Sequence, residues 1–243
     1  MIYFLIPVYN ESENLPELSK NLISFSAEED KFYVFVDDCS TDGTVSRLRE
    51  LFPENKLQVI EKDKNGGPGD SFNRGFNWIL QHSNDDNDKV VTVEGDNTSD
   101  LEILPVMLAN SKMGFGLVLA SVYAQGGGFD KTSAFRKIIS FMANMIFRAL
   151  FDLKVLTMSS FYRVYSLNLL KRVKNKFDNI IEEKGFICML EVLLKSIKCN
   201  AKIIEVPMVL KSDKRVGKSK MKIFKTTISY LKFLFSNFSK LRA

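Results

Sequence analysis

The stretch Phe32-Tyr33-Val34-Phe35-Val36-Asp37-Asp38-Cys39-Ser40-Thr41-Asp42-Gly43-Thr44 sets an unbroken apolar run against a run of turn and helix-cap residues. Aromatic and β-branched residues bounded by turn formers read as a buried strand. Thr41-Asp42-Gly43 then caps a helix that continues through Val45, Leu48 and Leu51 and closes at Pro53. The pattern recurs on either side. Ile2 to Ile6 leads into Pro7-Val8-Tyr9-Asn10-Glu11 and then a helix over Ser12 to Ser24, with Leu15, Leu18 and Leu22 at helical spacing. Leu57 to Ile60 leads into Asn65-Gly66-Gly67-Pro68-Gly69 and a helix through Phe72, Phe76 and Ile79. Lys89 to Val93 leads into Glu94-Gly95-Asp96. Strand alternating with helix predicts an α/β fold, a mostly parallel sheet flanked by helices. Acids gathered at the carboxyl ends of its strands stand where such sheets bind ligands. They would repel one another unless a divalent cation or a hydrogen-bonded ligand balanced them.

The second half is less regular. Leu117 to Val122 reads as a strand, Gln125 to Gly128 as a loop, and Lys137 to Phe151 as a helix apolar almost all round. A strand over Ser160 to Tyr165, a helix over Phe186 to Ser196 and a strand over Ala201 to Val209 follow. No repeat or linker composition interrupts the chain, so residues 1–212 read as one domain and 213–243 as a C-terminal appendage.

Of the 243 residues, 45% are hydrophobic and 26% charged, enough for a large core and against disorder. Cys39, Cys188 and Cys199 have no metal-ligand spacing and form no disulfide framework, which points to a reducing compartment. The apolar start lacks a basic flank and stops at Pro7, so it reads as a strand rather than a signal peptide. Ile138 to Phe147 falls short of the ~20 residues a bilayer span needs, so no crossing is expected. The net charge of +5 is concentrated in the tail: after Asp213 no acidic residue occurs among nine Lys and Arg. Charge alone would suit nucleic acid, phosphate groups or an anionic membrane.

The order and spacing of the strand-end clusters resemble family 2 inverting glycosyltransferases of the GT-A fold, the group that includes dolichyl-phosphate mannose synthase and the polyprenyl-phosphate sugar transferases. The resemblance implies a nucleotide-sugar site. Pro7, Tyr9 and Glu11 would hold the base and ribose, with Val36 as a backbone contact and Asp38 free to accept hydrogen bonds from either. Gly67 belongs to the Gly-rich turn beneath the nucleotide, where a helix start can face a ligand. Glu94-Gly95-Asp96 stands at the family's metal-binding Asp-x-Asp, with Glu as its first acid. Asp96 is then the chief ligand of Mg²⁺ or Mn²⁺, Glu94 a ligand or ribose contact, and Thr98 an assisting position. Gly95 lets the diphosphate approach the backbone.

Further matches are partial. Val122 replaces an expected Arg, while Arg136 remains as a diphosphate partner with catalytic weight. Thr157 replaces the acid that opens the segment Ser159 to Tyr165, so a catalytic base there is unsupported. Glu191 matches an acidic position near the acceptor and is a catalytic candidate. Lys214-Arg215-Val216-Gly217-Lys218-Ser219-Lys220-Met221 resembles a basic Gly-Ser-Lys segment, which would bring Arg215 and Lys220 to phosphate. His82 has no role. Every element also has a purely structural reading, as turn, cap or solvated face.

The implied activity is metal-dependent transfer of a sugar from a nucleoside diphosphate sugar to dolichyl or undecaprenyl phosphate, whose anionic phosphate attacks without a base. Two alternatives stay open: transfer to a sugar hydroxyl, with Glu191 as base, and a non-catalytic nucleotide-sugar binding module. No nucleic-acid partner is expected. In the tail, Phe224, Ile228, Leu231, Phe235 and Phe238 form one helical stripe with the lysines off it. Such a helix suits an anionic membrane interface, packing on the catalytic domain, or cover by a second subunit of a homo-oligomer. The expected location is peripheral, on the cytoplasmic face of a membrane.

Overall fold

A computed structural model of the chain describes residues 1–25, 30–217, 229, 230 and 233. Its main sheet has seven strands. They are β1 (Ile2–Val8), β2 (Lys31–Asp37), β3 (Leu57–Glu61), β4 (Lys89–Thr92), β5 (Leu117–Ser121), β7 (Arg163–Ser166) and β8 (Ile203–Pro207). Their order is β3-β2-β1-β4-β7-β5-β8, and β7 alone runs antiparallel to its neighbours. A two-stranded ribbon pairs β6 (Gly128–Asp130) with β9 (Val209–Lys211).

The helices are α1 (Leu15–Ser24), α2 (Thr44–Leu51), α3 (Pro68–His82), α4 (Leu104–Lys112), α5 (Ala134–Phe151), α6 (Leu167–Phe177) and α7 (Cys188–Lys198). They cover both faces of the sheet, so its strands are buried on both sides and read as continuous apolar runs. The two-residue period still sorts the side chains. On β1, Tyr3 and Leu5 join the cluster with α3, α5, α6 and α7, while Ile2, Phe4, Ile6 and Val8 join α1, α2 and α4.

The expected strands are present with shifted ends. β2 runs one residue further, to Asp37, and its register places Val36 between Pro7 and Ile60. The strand expected from Ser160 begins at Arg163 instead. Ser160 is held in a turn, its hydroxyl accepting Tyr162 N at 3.2 Å and its carbonyl accepting Arg163 Nε at 2.8 Å. The single strand expected over Ala201 to Val209 divides at Met208, so β8 stays in the main sheet and β9 leaves for the ribbon. Helices α4 and α6 are additions, α6 being capped by Ser166, whose hydroxyl accepts Leu169 N at 3.2 Å.

Lys220 and the stripe Phe224, Ile228, Leu231, Phe235 and Phe238 lie outside the described residues, as does the side chain of Arg136. Tyr230 and Phe233, helical and off that stripe, pack on the sheet domain: the rings of Tyr230 and Phe147 are 5.0 Å apart, and Phe233 is buried in the α3/α6/α7 cluster. Among the described residues no helix is long and apolar enough to cross a membrane, and all three cysteines are free.

Candidate active site

β1, β2 and β3 run to one side of the sheet and β4 to the other, which makes the β1/β4 edge a topological switch point. A cavity of about 1180 Å³ opens at the carboxyl ends of these strands. Pro7, Tyr9, Glu11, Asp38, Gly67, Glu94, Gly95, Asp96, Thr98 and Arg215 all line it. Val36 and Glu191 do not. Val36 is wholly buried inside β2, its backbone taken up between β1 and β3.

The turns after β1 and β2 are stitched together. Asn10, at φ 51°, accepts Thr41 N at 2.7 Å on its side chain and donates its own N–H to Ser40 Oγ at 2.8 Å. Glu11 N donates to Thr44 Oγ1 at 2.9 Å, and Asp42 accepts both Ser12 N at 3.0 Å and Thr44 N at 3.0 Å. The first helix turn then hands on to the basic segment. Asn14 donates to Glu11 Oε2 at 2.6 Å, donates to the Val216 carbonyl at 3.2 Å and accepts Val216 N at 2.8 Å. That clamp holds Arg215 over the cavity.

Asp38 is not the free acceptor that was expected. Its Oδ1 accepts Gly66 N at 2.7 Å and pairs with Lys62 Nζ at 2.6 Å, while Oδ2 accepts Gly67 N at 2.9 Å. The Lys62 side chain is 1% exposed and pairs also with Asp70 at 2.6 Å. A buried ammonium needs paired carboxylates, so Asp38 is engaged in building the Gly-rich turn, and only Oδ2 keeps acceptor capacity toward the cavity. The glycines are required sterically. Gly67 has φ +85°, and a Cβ on Gly69 would stand 1.8 Å from the Glu183 carbonyl oxygen.

After β4, Asp96 Oδ1 accepts Thr98 Oγ1 at 2.6 Å and Thr98 N at 3.2 Å. Its Oδ2 accepts Arg215 Nε at 2.6 Å, and Arg215 Nη2 closes on the same oxygen. Glu94 accepts the Ser99 hydroxyl, and its carboxyl is pushed up first by burial and then by the Asp96 charge. Gly95 lets the end of β4 lie against β1, since a Cβ there would meet Val8 Cγ1 at 3.0 Å. Among the described residues no three His, Cys, Asp or Glu are grouped to hold a metal. The Glu94–Asp96 pair nevertheless fits a hard cation. With Arg215 moved off Asp96 Oδ2, it would offer oxygen donors at a cavity wall, and substrate phosphates ordinarily complete such a shell.

Glu191 is engaged elsewhere. Its carboxylate accepts the N–H groups of Glu182 at 3.0 Å and Glu183 at 2.9 Å and pairs with Lys195 at 2.6 Å. It thereby shapes the segment of Glu182, Glu183 and Lys184 that does line the cavity. Arg163, wholly buried, donates to the carbonyls of Ser160 at 2.8 Å, Met189 at 2.8 Å and Met158, tying the lining residues Ser159 and Phe161 to α7. Lys62, Asn14 and the segment 182–184 went unread in the sequence. Only the β2–β3 register, with Asp37 opposite Glu61, reveals that Lys62 follows beside Asp38.

Residues 3–174 match the family described as Glycosyl transferase family 2. The chain is 28% identical over 218 residues to the undecaprenyl-phosphate mannosyltransferase of Micrococcus luteus, covering 89% of this chain and 86% of that protein. It is 30% identical over 235 residues to the dolichol-phosphate mannosyltransferase of Pyrococcus furiosus, covering 95% of this chain and 62% of that protein. Among solved structures, glucosyl-3-phosphoglycerate synthase from Mycobacterium tuberculosis, in complex with Mn²⁺, UDP and glucosyl-3-phosphoglycerate, superposes with a TM-score of 0.67 at 15% identity. That likeness spans 99% of this chain and 80% of the other, and speaks for a shared GT-A fold. With the family match running from β1 into α6 and the strand-end acids gathered at one cavity, the chain belongs to glycosyl transferase family 2 and is a glycosyltransferase.

Proposed function

We propose that the chain transfers a sugar, with inversion, from a nucleoside diphosphate sugar to a polyprenyl phosphate, with Mg²⁺ or Mn²⁺ held at Asp96 and Glu94. The observation that carries this reading is the meeting of Asp96, Glu94 and Arg215 at one cavity wall beside the N-terminus of α3. A bound divalent cation would stabilise charge on the departing diphosphate. The chain's own groups do the rest. Arg215 offers a forked donor to phosphate once released from Asp96, and the α3 N-terminus presents the positive end of its dipole. Tyr9, 37% exposed at the lip, offers a flat face to the base.

The acceptor class is supported by the polyprenyl-phosphate relatives and by the state of the two positions the sequence offered for a base. Thr157, where an acid would deprotonate a hydroxyl, is buried and bonded to Ser121 at 2.7 Å, and Glu191 is fully committed. A phosphate needs no deprotonation to attack. Transfer to a sugar hydroxyl remains the rival, and Glu183, which lines the cavity with its carboxyl raised by burial, would be its base. The proposal includes a peripheral position on the cytoplasmic face of a membrane, where the acceptor would be met.

The test is turnover of a panel of uridine and guanosine diphosphate sugars with undecaprenyl or dolichyl phosphate in detergent, with Mn²⁺, Mg²⁺ or chelator, reading lipid products by mass spectrometry. A glycosyl phosphoryl polyprenol that disappears with chelator is expected. Transfer to oligosaccharides with no lipid product would overturn the reading.

A further inference from the structure

The chain itself fills the acceptor positions of Asp96. A carboxylate offers about four lone-pair sites. Thr98 donates to Oδ1 from its hydroxyl at 2.6 Å and from its N–H at 3.2 Å. Arg215 donates to Oδ2 from Nε at 2.6 Å and again from Nη2. The ion pair is partly buried, so solvent and salt weaken it less than a surface pair. Thr98 belongs to the same turn as Asp96, two residues on, and stays with it. Arg215 arrives from 119 residues away and is the contact that can be exchanged.

Asn14 keeps it in place. This buried residue precedes α1, yet its side chain makes no capping bond to the helix. Instead its amide holds both backbone groups of Val216, accepting the N–H at 2.8 Å and donating to the carbonyl at 3.2 Å. The same amide donates to Glu11 Oε2 at 2.6 Å, which joins the candidate ribose contact to the residue after Arg215. The other end of the segment is fixed independently. Lys211 N donates to the Thr98 carbonyl at 3.2 Å, and Lys211 Nζ pairs with Asp100 at 3.0 Å. With the backbone held at 211 and at 216, the Arg215 side chain can move between Asp96 and the cavity it lines without the segment opening.

We propose that Asn14 is a positioning residue that holds the Arg215 guanidinium on Asp96 in place of the cation, and that a diphosphate entering the cavity draws the guanidinium off and opens Asp96. The inference rests on the reading above of Asp96 as a cation ligand and of the cavity as a nucleoside diphosphate site. The exchange is chemically matched, since the guanidinium fork fits phosphate as it fits carboxylate. Asp96 is then closed to a cation until the donor arrives. Cation affinity without donor is reduced by the fraction of molecules in which Arg215 has left Asp96. By linkage, diphosphate and cation raise each other's affinity by one common factor.

Mn²⁺ binding to the full chain, read by electron paramagnetic resonance with no nucleotide, with saturating UDP and with saturating GDP, tests this without turnover. Arg215→Met should bind Mn²⁺ alone about tenfold or more tightly than wild type, and the gain that nucleotide brings should shrink by the same factor. Asn14→Ala should move Mn²⁺ affinity in the same direction with Arg215 still present. Val216→Pro does so without touching the buried Asn14: it removes the N–H that Asn14 accepts. Arg215, at φ −70° and ψ 126°, already has the extended backbone that a following proline requires. If both clamp variants bind Mn²⁺ as the wild type does, Asn14 does not position Arg215 and the proposal fails. Lys214→Met removes the same charge from an exposed neighbour and should match the wild type. A gain there equal to that of Arg215→Met would be a general charge effect and would also overturn the proposal. Equal Mn²⁺ affinity of wild type and Arg215→Met, with nucleotide still raising both, overturns the exchange and leaves the cation site standing. Failure of every protein to bind Mn²⁺ with either nucleotide overturns both.

Discussion

Asp38 receives two backbone N–H groups and an ammonium that is itself almost wholly buried, so its removal would strand Lys62 with Asp70 as its remaining carboxylate. Breaking a buried pair from one side costs about 3–5 kcal/mol, far more than the loss of one ligand hydrogen bond. Asp38→Ala should therefore lower urea stability by about that amount and raise the donor KM through a loosened Gly-rich turn. A variant as stable as wild type with weakened nucleotide binding would return Asp38 to a direct base contact. Glu191 invites the complementary experiment. If it were the general base, Glu191→Gln would abolish the acidic limb of the pH–rate profile. Because its carboxylate is spent on Glu182 N, Glu183 N and Lys195, the expected result is lower stability with that limb intact. The role of Asp38 was opaque in the sequence, where an acid at a strand end reads alike whether it faces a ligand or a lysine that follows the next strand, whereas the partner of Glu191, Lys195, stands four residues on along its own helix.

At the scale of the element, the Gly-rich turn and α3 act as one piece with the segment 182–185. A methyl on Gly69 would overlap the Glu183 carbonyl, so Gly69→Ala must push a backbone strand of the cavity wall aside. Overpacking of this sort costs about 1–3 kcal/mol, and calorimetric nucleotide affinity should fall with it. Asp70, on the first turn of α3, gives the turn its pH dependence. Burial alone would raise its carboxyl, but hydrogen bonds and charge from Lys62, with Arg74 behind, hold it below the ordinary value. A depressed folded pKa contributes stability that is full above the unfolded value of ~3.9 and is lost as pH falls through the folded one. Asp70→Asn should thus be less stable than wild type by a constant margin above pH 5, and the margin should shrink below pH 4 in urea titrations. Elements of this piece were legible because Pro68 and the spacing of Phe72, Phe76 and Ile79 are local signals. Helix α6 carried an equally local one, Ser166 ahead of Leu167, Leu170 and Val173, and went unread. The division of the last strand into β8 and β9 is different in kind, since it depends on where β6 lies.

At the scale of the whole molecule, the strands followed from buried apolar runs, whereas their order and the closing of the chain on itself did not. The tail's obvious periodicity runs through Phe224, Ile228, Leu231, Phe235 and Phe238, yet Tyr230 and Phe233 are the described tail residues in the core, and they lie off that stripe. Periodicity finds a face without saying what covers it, and a helix with two apolar faces leaves the choice to tertiary structure. Phe233, 1% exposed, belongs to the cluster that joins α3, α6 and α7 beneath the cavity. Truncating a buried Phe to Ala costs about 3–5 kcal/mol by lost transfer energy and the cavity left behind. Phe233→Ala should show that loss in urea denaturation with no vesicles present, and Tyr230→Ala a loss in the same direction through its contact with Phe147. If Phe233→Ala were as stable as wild type, the tail would be an independent appendage, and its removal after Gly217 should then leave the fold and nucleotide binding intact.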